Sequence, residues 1–299
     1  MIPQRGCTLI ELAIVLVIMT ILIGGLAMPL SAQIQARRIA ETKKTLEEAR
    51  EAIIGYAMGR PASSSTCTCT YTIGDTGTCP VALSSVTPSA CASLCPSAGN
   101  VELTLPSCPT PGTGPLTLTL PIARHYLPCP NVNGDGQEGP RDAGRCLNTE
   151  GFFPWVALGT ASQDAWGNRL RYAVTDAFSN STGFSNSDEG DLKVCNSSAN
   201  AGANDCTTGN VADKVPVVVL SHGPNGWGAL NVSGKTLASV GGNGEKENYN
   251  TDAEFVSSPP YKPANGSAAE QAKEFDDLVV WISDGLLKSR VCPSGGCPP

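Results

Sequence analysis

Arg5–Pro29 reads RGCTLIELAIVLVIMTILIGGLAMP, and this stretch decides the architecture of the chain. From Leu9 to Met28 it is apolar apart from Glu11, Thr20 and a few small residues. A helix of about 20 residues is about 30 Å long, the thickness of a bilayer's hydrocarbon core. Glu11 breaks the run, and a lone carboxylate in hydrocarbon costs roughly 2.5–3.5 kcal/mol. A chain that keeps such a group there needs a partner for it. The flanks do not suit a secretory signal: MIPQRG is a short leader whose basic residue is Arg5, and no small-residue cleavage site follows the apolar run. An ordinary one-span anchor that is never processed is the alternative. Cys7 is not placed as a lipoprotein cysteine, because it precedes the apolar region instead of following it.

The order Arg5, Gly6, Cys7, Thr8, Glu11, then TLIELAIVLVI running into the span, resembles the class III leader of type IV prepilins and type II secretion pseudopilins. The resemblance implies that a prepilin peptidase cuts after Gly6 and methylates the new amine of Cys7. It also implies that Glu11 pairs with the N-terminal amine of a neighbouring subunit in a filament, which would offset the cost of a carboxylate there. Two positions depart from the family pattern: Cys7 stands where Phe is usual, and the helix-kinking proline falls one place later, at Pro29. The partners implied are other pilin or pseudopilin subunits, the prepilin peptidase, the bacterial inner membrane and a secretion or pilus assembly platform. The location implied is a single pass through the inner membrane, with the C-terminal domain periplasmic or in an extracellular filament.

Beyond the span, Ile39, Thr42, Leu46, Ala49, Ile53 and Tyr56 alternate in steps of three and four, the spacing of one apolar stripe on a helix. Arg37, Arg38, Lys43, Lys44, Glu47, Glu48 and Glu51 occupy the other face, and Lys43/Glu47 and Lys44/Glu48 stand at i,i+4. Gly59, Arg60 and Pro61 end the helix. The stripe needs a sheet to cover it, and the rest of the chain must supply one.

All the cysteines except Cys7 follow residue 60: Cys67, Cys69, Cys79, Cys91, Cys95, Cys108, Cys129, Cys146, Cys195, Cys206, Cys292 and Cys297. Their even number, placed beyond a membrane segment, predicts disulfides in an oxidising compartment. Metal binding is the alternative, but CxxC pairs and a CxxCH haem motif are missing, and the histidines are only two, His125 and His222. A net charge of −7, a pI near 4.9 and 16% charged residues argue against nucleic acid as a partner and for a loop-rich exported part. Residues 61–121 are rich in Ser, Thr, Cys, Pro and Gly and read as a surface insertion held by disulfides. Within it, Val101–Leu105 and Leu116–Leu120 alternate apolar with polar and are expected to pair as a hairpin.

Between Cys129 and Cys146, Asn131, Asn133, Asp135, Gly136 and Asp142 fall at positions 1, 3, 5, 6 and 12 of a calcium loop. Oxygen ligands on alternate residues, with a glycine at the sharp turn, are what Ca²⁺ needs. A polar Asn-Gly/Asp-Gly turn is the competing reading. Further on, Asp164–Asn168 reads as a turn, Leu170–Thr175 as a strand, Lys214–Ser221 as a buried strand, and Phe275–Ile282 as the last apolar element. DAWGN with Arg171-Tyr172, then VVVLSHGPNGWG, then DDLVVW, is similar to the C-terminal half of the major pseudopilin of type II secretion systems. That resemblance implies a second calcium site at Asp276 and Asp277, with Asp252 or Glu254 as contributors. Asn225 stands where the family carries an acid. The competing reading is that Asp276 caps the last element and Asp277 is solvated.

Enzyme readings fare badly. Ser221 and His222 are neighbours, which rarely face each other as nucleophile and base, and GxSxG, HExxH and Walker A motifs are missing. The chain therefore reads as non-enzymatic and α+β: a pilin-like long N-terminal helix packed on a small antiparallel sheet, with disulfide-rich insertions. The expected segments are a leader (1–6), an assembly helix (7–30), an amphipathic helix (31–60), an insertion (61–121) and a β domain (122–299). The rival function is a membrane-anchored adhesion or binding module with residues 61–121 and 176–213 as its recognition surface.

Overall fold

A computed structural model describes residues 9–59, 61–72, 115–196, 210–238, 241–292 and 297, with the backbone alone for 21–30, 61–72 and 115–123. The leader and Cys7 lie outside these residues. So do Cys79, Cys91, Cys95, Cys108, Cys206 and the segment Val101–Leu105.

Helix α1 runs unbroken over Leu9–Gly59 and passes through Pro29. Its stripe lies where the spacing predicts: Thr42, Leu46, Ala49, Ile53 and Tyr56 are all buried. The four-stranded sheet that covers the stripe has the order β11 (Leu278–Ile282), β9 (Val217–Ser221), β6 (Arg171–Val174) and β5 (Glu150–Phe152). Every pairing in it is antiparallel. Tyr172, Val174, Val217, Val219 and Ile282 face α1. Ala173, Val218 and Leu220 face the other way, onto a second sheet formed by β10 (Glu254–Val256), β7 (Leu192–Cys195) and β8 (Asn210–Val215). The central strand β9 is therefore covered on both faces, which is why its sequence is continuously apolar instead of alternating. The second sheet corrects the expectation of a single antiparallel sheet, since β10 and β7 run parallel. Lys214–Ser221 is likewise two strands, broken at Pro216.

Smaller elements complete the chain. Strands β1 (Pro61–Thr72) and β2 (Pro115–His125) form a two-stranded ribbon, and β3 (Arg141–Asp142) with β4 (Arg145–Cys146) a short one. The β1–β2 register sets Cys67 against Leu120 and Tyr71 against Leu116, so Leu116–Leu120 pairs with the start of the insertion; the expected partner Val101–Leu105 lies outside the described residues. Among the described residues the further helices are α2 (Trp155–Leu158), α3 (Asp176–Ser179), α4 (Asn243–Glu247), α5 (Ala268–Gln271) and α6 (Asp284–Val291). Helix α6 returns the chain to the core beside α1 through Leu287 and Val291. Disulfides join Cys129 to Cys146 and Cys292 to Cys297, and Cys195 is also disulfide-bonded.

Thr42 shows why a polar residue sits in the apolar stripe. It is fully buried, and its hydroxyl accepts the backbone N–H of Ala165 at 3.1 Å, which fastens the Asp164–Asn168 turn to α1. In that turn the Asp164 carboxylate accepts the N–H groups of Trp166 and Asn168, both at 2.9 Å. Thr42→Val keeps the shape and removes the acceptor. The expected loss is about 1–2 kcal/mol, read as a lower urea midpoint with an unchanged slope.

Candidate functional site

The two calcium readings separate once side chains are placed. In the Asn131–Asp142 loop, the Asn131 amide nitrogen donates to Asp135 Oδ1 at 2.5 Å and to the Gln137 carbonyl at 2.7 Å. Its oxygen accepts the Gly134 N–H at 2.6 Å, and Asp135 Oδ1 also accepts the N–H of Gln137 at 2.9 Å. A donor nitrogen thus faces the carboxylate where a cation would need oxygen. Asn133 is exposed, and Asp142 is exposed in β3. The loop closes on its own hydrogen bonds between Cys129 and Cys146, the arrangement of the polar-turn reading.

The C-terminal pair behaves differently. In the β9–β11 ladder Ser221 lies opposite Leu278, so the next positions set His222 against Asp277 and Gly223 against Asp276. Opposed residues share a face of the sheet. A Cβ on Gly223 would stand 2.4 Å from Asp276 Oδ1 and 2.2 Å from the Asp276 carbonyl, so only glycine allows this approach. Glu245 of α4 supplies a third carboxylate, and one oxygen from each of Glu245, Asp276 and Asp277 lies within 4.8 Å of the others. Glu245 leans against Gly241 and Gly242. Its Oε2 accepts the Gly242 N–H at 3.2 Å, and a Cβ on Gly241 would collide with that oxygen.

Burial and mutual repulsion strain the group electrostatically. Burial first, then the charge of Asp277, push the Glu245 carboxyl up to about 7. Burial, then Glu245 and Asp277, push Asp276 up to about 8. Asp277 is only 4% exposed, which overturns the solvated reading. Asn248, fully buried, donates to Asp277 Oδ2 at 2.9 Å and bonds both the carbonyl and the N–H of Val256. Among the described residues Asp276 Oδ1 and Asp277 Oδ1 have no hydrogen-bond partner. Neither has Nδ1 of His222, which is 2% exposed and stands 3.7 Å from Asp277 Oδ2. Two desolvated carboxylate oxygens without donors, beside a third carboxylate, fit a hard divalent cation.

Sequence reasoning placed Asp276 and Asp277 here but missed Glu245. The expected contributors sit elsewhere: Asp252 accepts from Asn250 and from the backbone of Glu254, and Glu254 lies in β10 facing Lys193. The available signal was the run Gly241-Gly242-Asn243-Gly244 immediately before Glu245, a backbone built for close approach. His222 is buried against the cluster. Ser221 donates to Asp164 at 2.7 Å, away from His222. His125 Nδ1 is bonded to the Ala57 carbonyl at 2.8 Å, a structural contact with α1.

At the other end of the molecule, Glu11 lies in the first turn of α1, and Leu9, Ile10, Leu12 and Ile14–Met19 are exposed. Among the described residues no helix is long and apolar enough to cross a membrane; the side chains of 21–30, the second part of the apolar run, lie outside them. Residues 1–27 match a family model described as the prokaryotic N-terminal methylation motif. The match supports a type IV pilin-like subunit that a prepilin peptidase processes and that assembles with other pilin subunits. No curated protein and no solved structure matches the chain.

Proposed function

We propose that this chain is a filament subunit of a type IV pilus or a type II secretion pseudopilus, anchored in the inner membrane before assembly and built into the filament through α1. The observation that carries the reading is the methylation motif over residues 1–27. The fold adds support. The lower part of α1 presents exposed apolar side chains from Leu9 to Met19, a surface that lipid or neighbouring helices would cover. The upper part is fastened into a domain of sheets and disulfides. Processing at Gly6 and Cys7 leaves a charged amine close to Glu11. The test is Glu11→Leu. The subunit is expected to remain membrane-inserted, since the costly carboxylate is gone, while its share of sheared filaments falls at least about tenfold, the equivalent of one charged contact of about 1.4 kcal/mol. Undiminished incorporation would remove Glu11 from the assembly step.

Calcium is the cofactor this reading includes, at Glu245, Asp276 and Asp277, with Asn248 fixing Asp277. It would neutralise the cluster and tie the turn after β9, helix α4 and the start of β11 to one another. Its role is structural, in keeping with the absence of an aligned nucleophile and base at Ser221 and His222.

A further inference from the structure

We propose that Asn225 limits how tightly the Glu245–Asp276–Asp277 cluster holds a cation, because its amide occupies the carboxylate oxygen that an ion would use. The inference rests on the cation reading of the cluster. Asn225 touches two of the three acids: its Nδ2 donates to Glu245 Oε1 at 2.8 Å, and its backbone N–H donates to Asp276 Oδ2 at 3.3 Å. The same Glu245 oxygen also accepts the Asp276 N–H at 3.0 Å, so it is already doubly bonded. The buried His222 stands 3.7 Å from Asp277 Oδ2, and the Asn248 amide donates to that same oxygen at 2.9 Å, so the Asn225 amide is the donor that competes at Glu245.

The position of Asn225 is set by its turn. Its Oδ1 accepts the Trp227 N–H at 3.0 Å, while Gly226, at a φ of 65°, donates its N–H to the His222 carbonyl at 3.0 Å. With Oδ1 held by Trp227, the amide nitrogen is the end left to face Glu245. A cation that engages Glu245 must displace this donor, and hydrogen bonds to charged groups are among the stronger ones. An aspartate at this position would keep the Trp227 contact and replace the competing donor with a fourth carboxylate oxygen.

The test is titration of the full chain in detergent with calcium, by calorimetry, and with terbium, by luminescence sensitised from Trp227. That indole approaches the same glycine, Gly241, as Glu245 does. Asn225→Asp is expected to bind calcium at least about tenfold more tightly than the parent chain. Asn225→Ser, which removes the amide without adding charge, is expected to tighten binding by a smaller factor. Glu245→Gln should abolish the saturable signal in both titrations. Unchanged or weaker binding in both Asn225 variants, beside a parent site that Glu245→Gln abolishes, would overturn the role of Asn225 and leave the cation site standing. Binding absent from the parent and from Asn225→Asp alike would overturn the site and the inference together. Binding gained only in Asn225→Asp would support the inference. The serine variant keeps the test decisive where the aspartate's added charge prevents folding.

Discussion

Gly6→Leu is expected to leave essentially all of the chain as uncut precursor. Intact-mass measurement on the protein from its host should show the parent chain without MIPQRG and with one methyl group on the Cys7 amine. The expectation follows from the junction itself. A glycine between Arg5 and Cys7 lets the backbone pass close to a peptidase without a side chain in the way, and the resemblance to prepilins puts the cut there. The consequence reaches beyond the leader. Cleavage creates an α-amine that is mostly protonated near neutral pH, since such amines titrate at about 7.7–8.0. In the uncut chain the Cys7 nitrogen is held in a neutral amide, and that charge is absent. Filaments should therefore lack the Gly6→Leu subunit even though its exported domain folds. A mature pool that retains MIPQRG in the parent chain would overturn the class III assignment. Cys7 at the new N-terminus makes the methyl group the more informative half of the measurement, because Phe is the usual residue there.

Much of this architecture was legible because period and burial coincide. The steps of three and four from Ile39 to Tyr56 can be satisfied by only one helix face, and Thr42 through Tyr56 are buried on it. The run VVVL read as a buried strand and Asp164–Asn168 as a turn, and both stand so in the fold. Partner choice was less legible. Leu116–Leu120 alternates as a strand should, but alternation does not say which strands lie beside it, and one of them is Cys67–Tyr71. The calcium loop was illegible for a different reason. Asn131 and Asp135 have the right spacing, yet spacing does not decide whether an asparagine turns its oxygen or its nitrogen inward. Glu245 was missed because tertiary folding, not local pattern, brings α4 against the end of β11. The second sheet was missed for the same reason, since β7 and β10 are separated by a long excursion of chain and pair in parallel.

The stability of the chain, in chelator, is expected to fall as pH rises from about 4 to about 8, and calcium is expected to reverse the trend. Glu245 moves from 4.5 to about 7 and Asp276 from 3.8 to about 8 on folding, chiefly through burial and then through repulsion among the three acids. Raised carboxyl values mean that the folded state holds protons the unfolded chain has released. The stabilisation is thus complete below the unfolded values, about pH 4, and is lost as pH climbs through about 7 and then about 8. Full conversion of both shifts would overstate the effect, because Asp276 is half-buried and the acids share one repulsion. A loss on the order of 2–4 kcal/mol is a fair allowance, or roughly 5–12 °C in melting temperature for a domain of this size. Calcium binds the deprotonated oxygens, so its effect should be small near pH 5 and largest near pH 8. At a hundredfold excess over Kd it returns about 2.7 kcal/mol, most of what deprotonation removes. Magnesium should return less, since it gives up water reluctantly and demands tighter geometry. Replacing Glu245 by Gln and Asp276 by Asn together should flatten the pH dependence and remove the calcium response in the same step. Melting curves in chelator that stay level from pH 5 to about 8.5 would show that the acids are not desolvated as their positions require. Curves that fall with pH but ignore calcium would leave the acids buried and strained, and would deny them the ion.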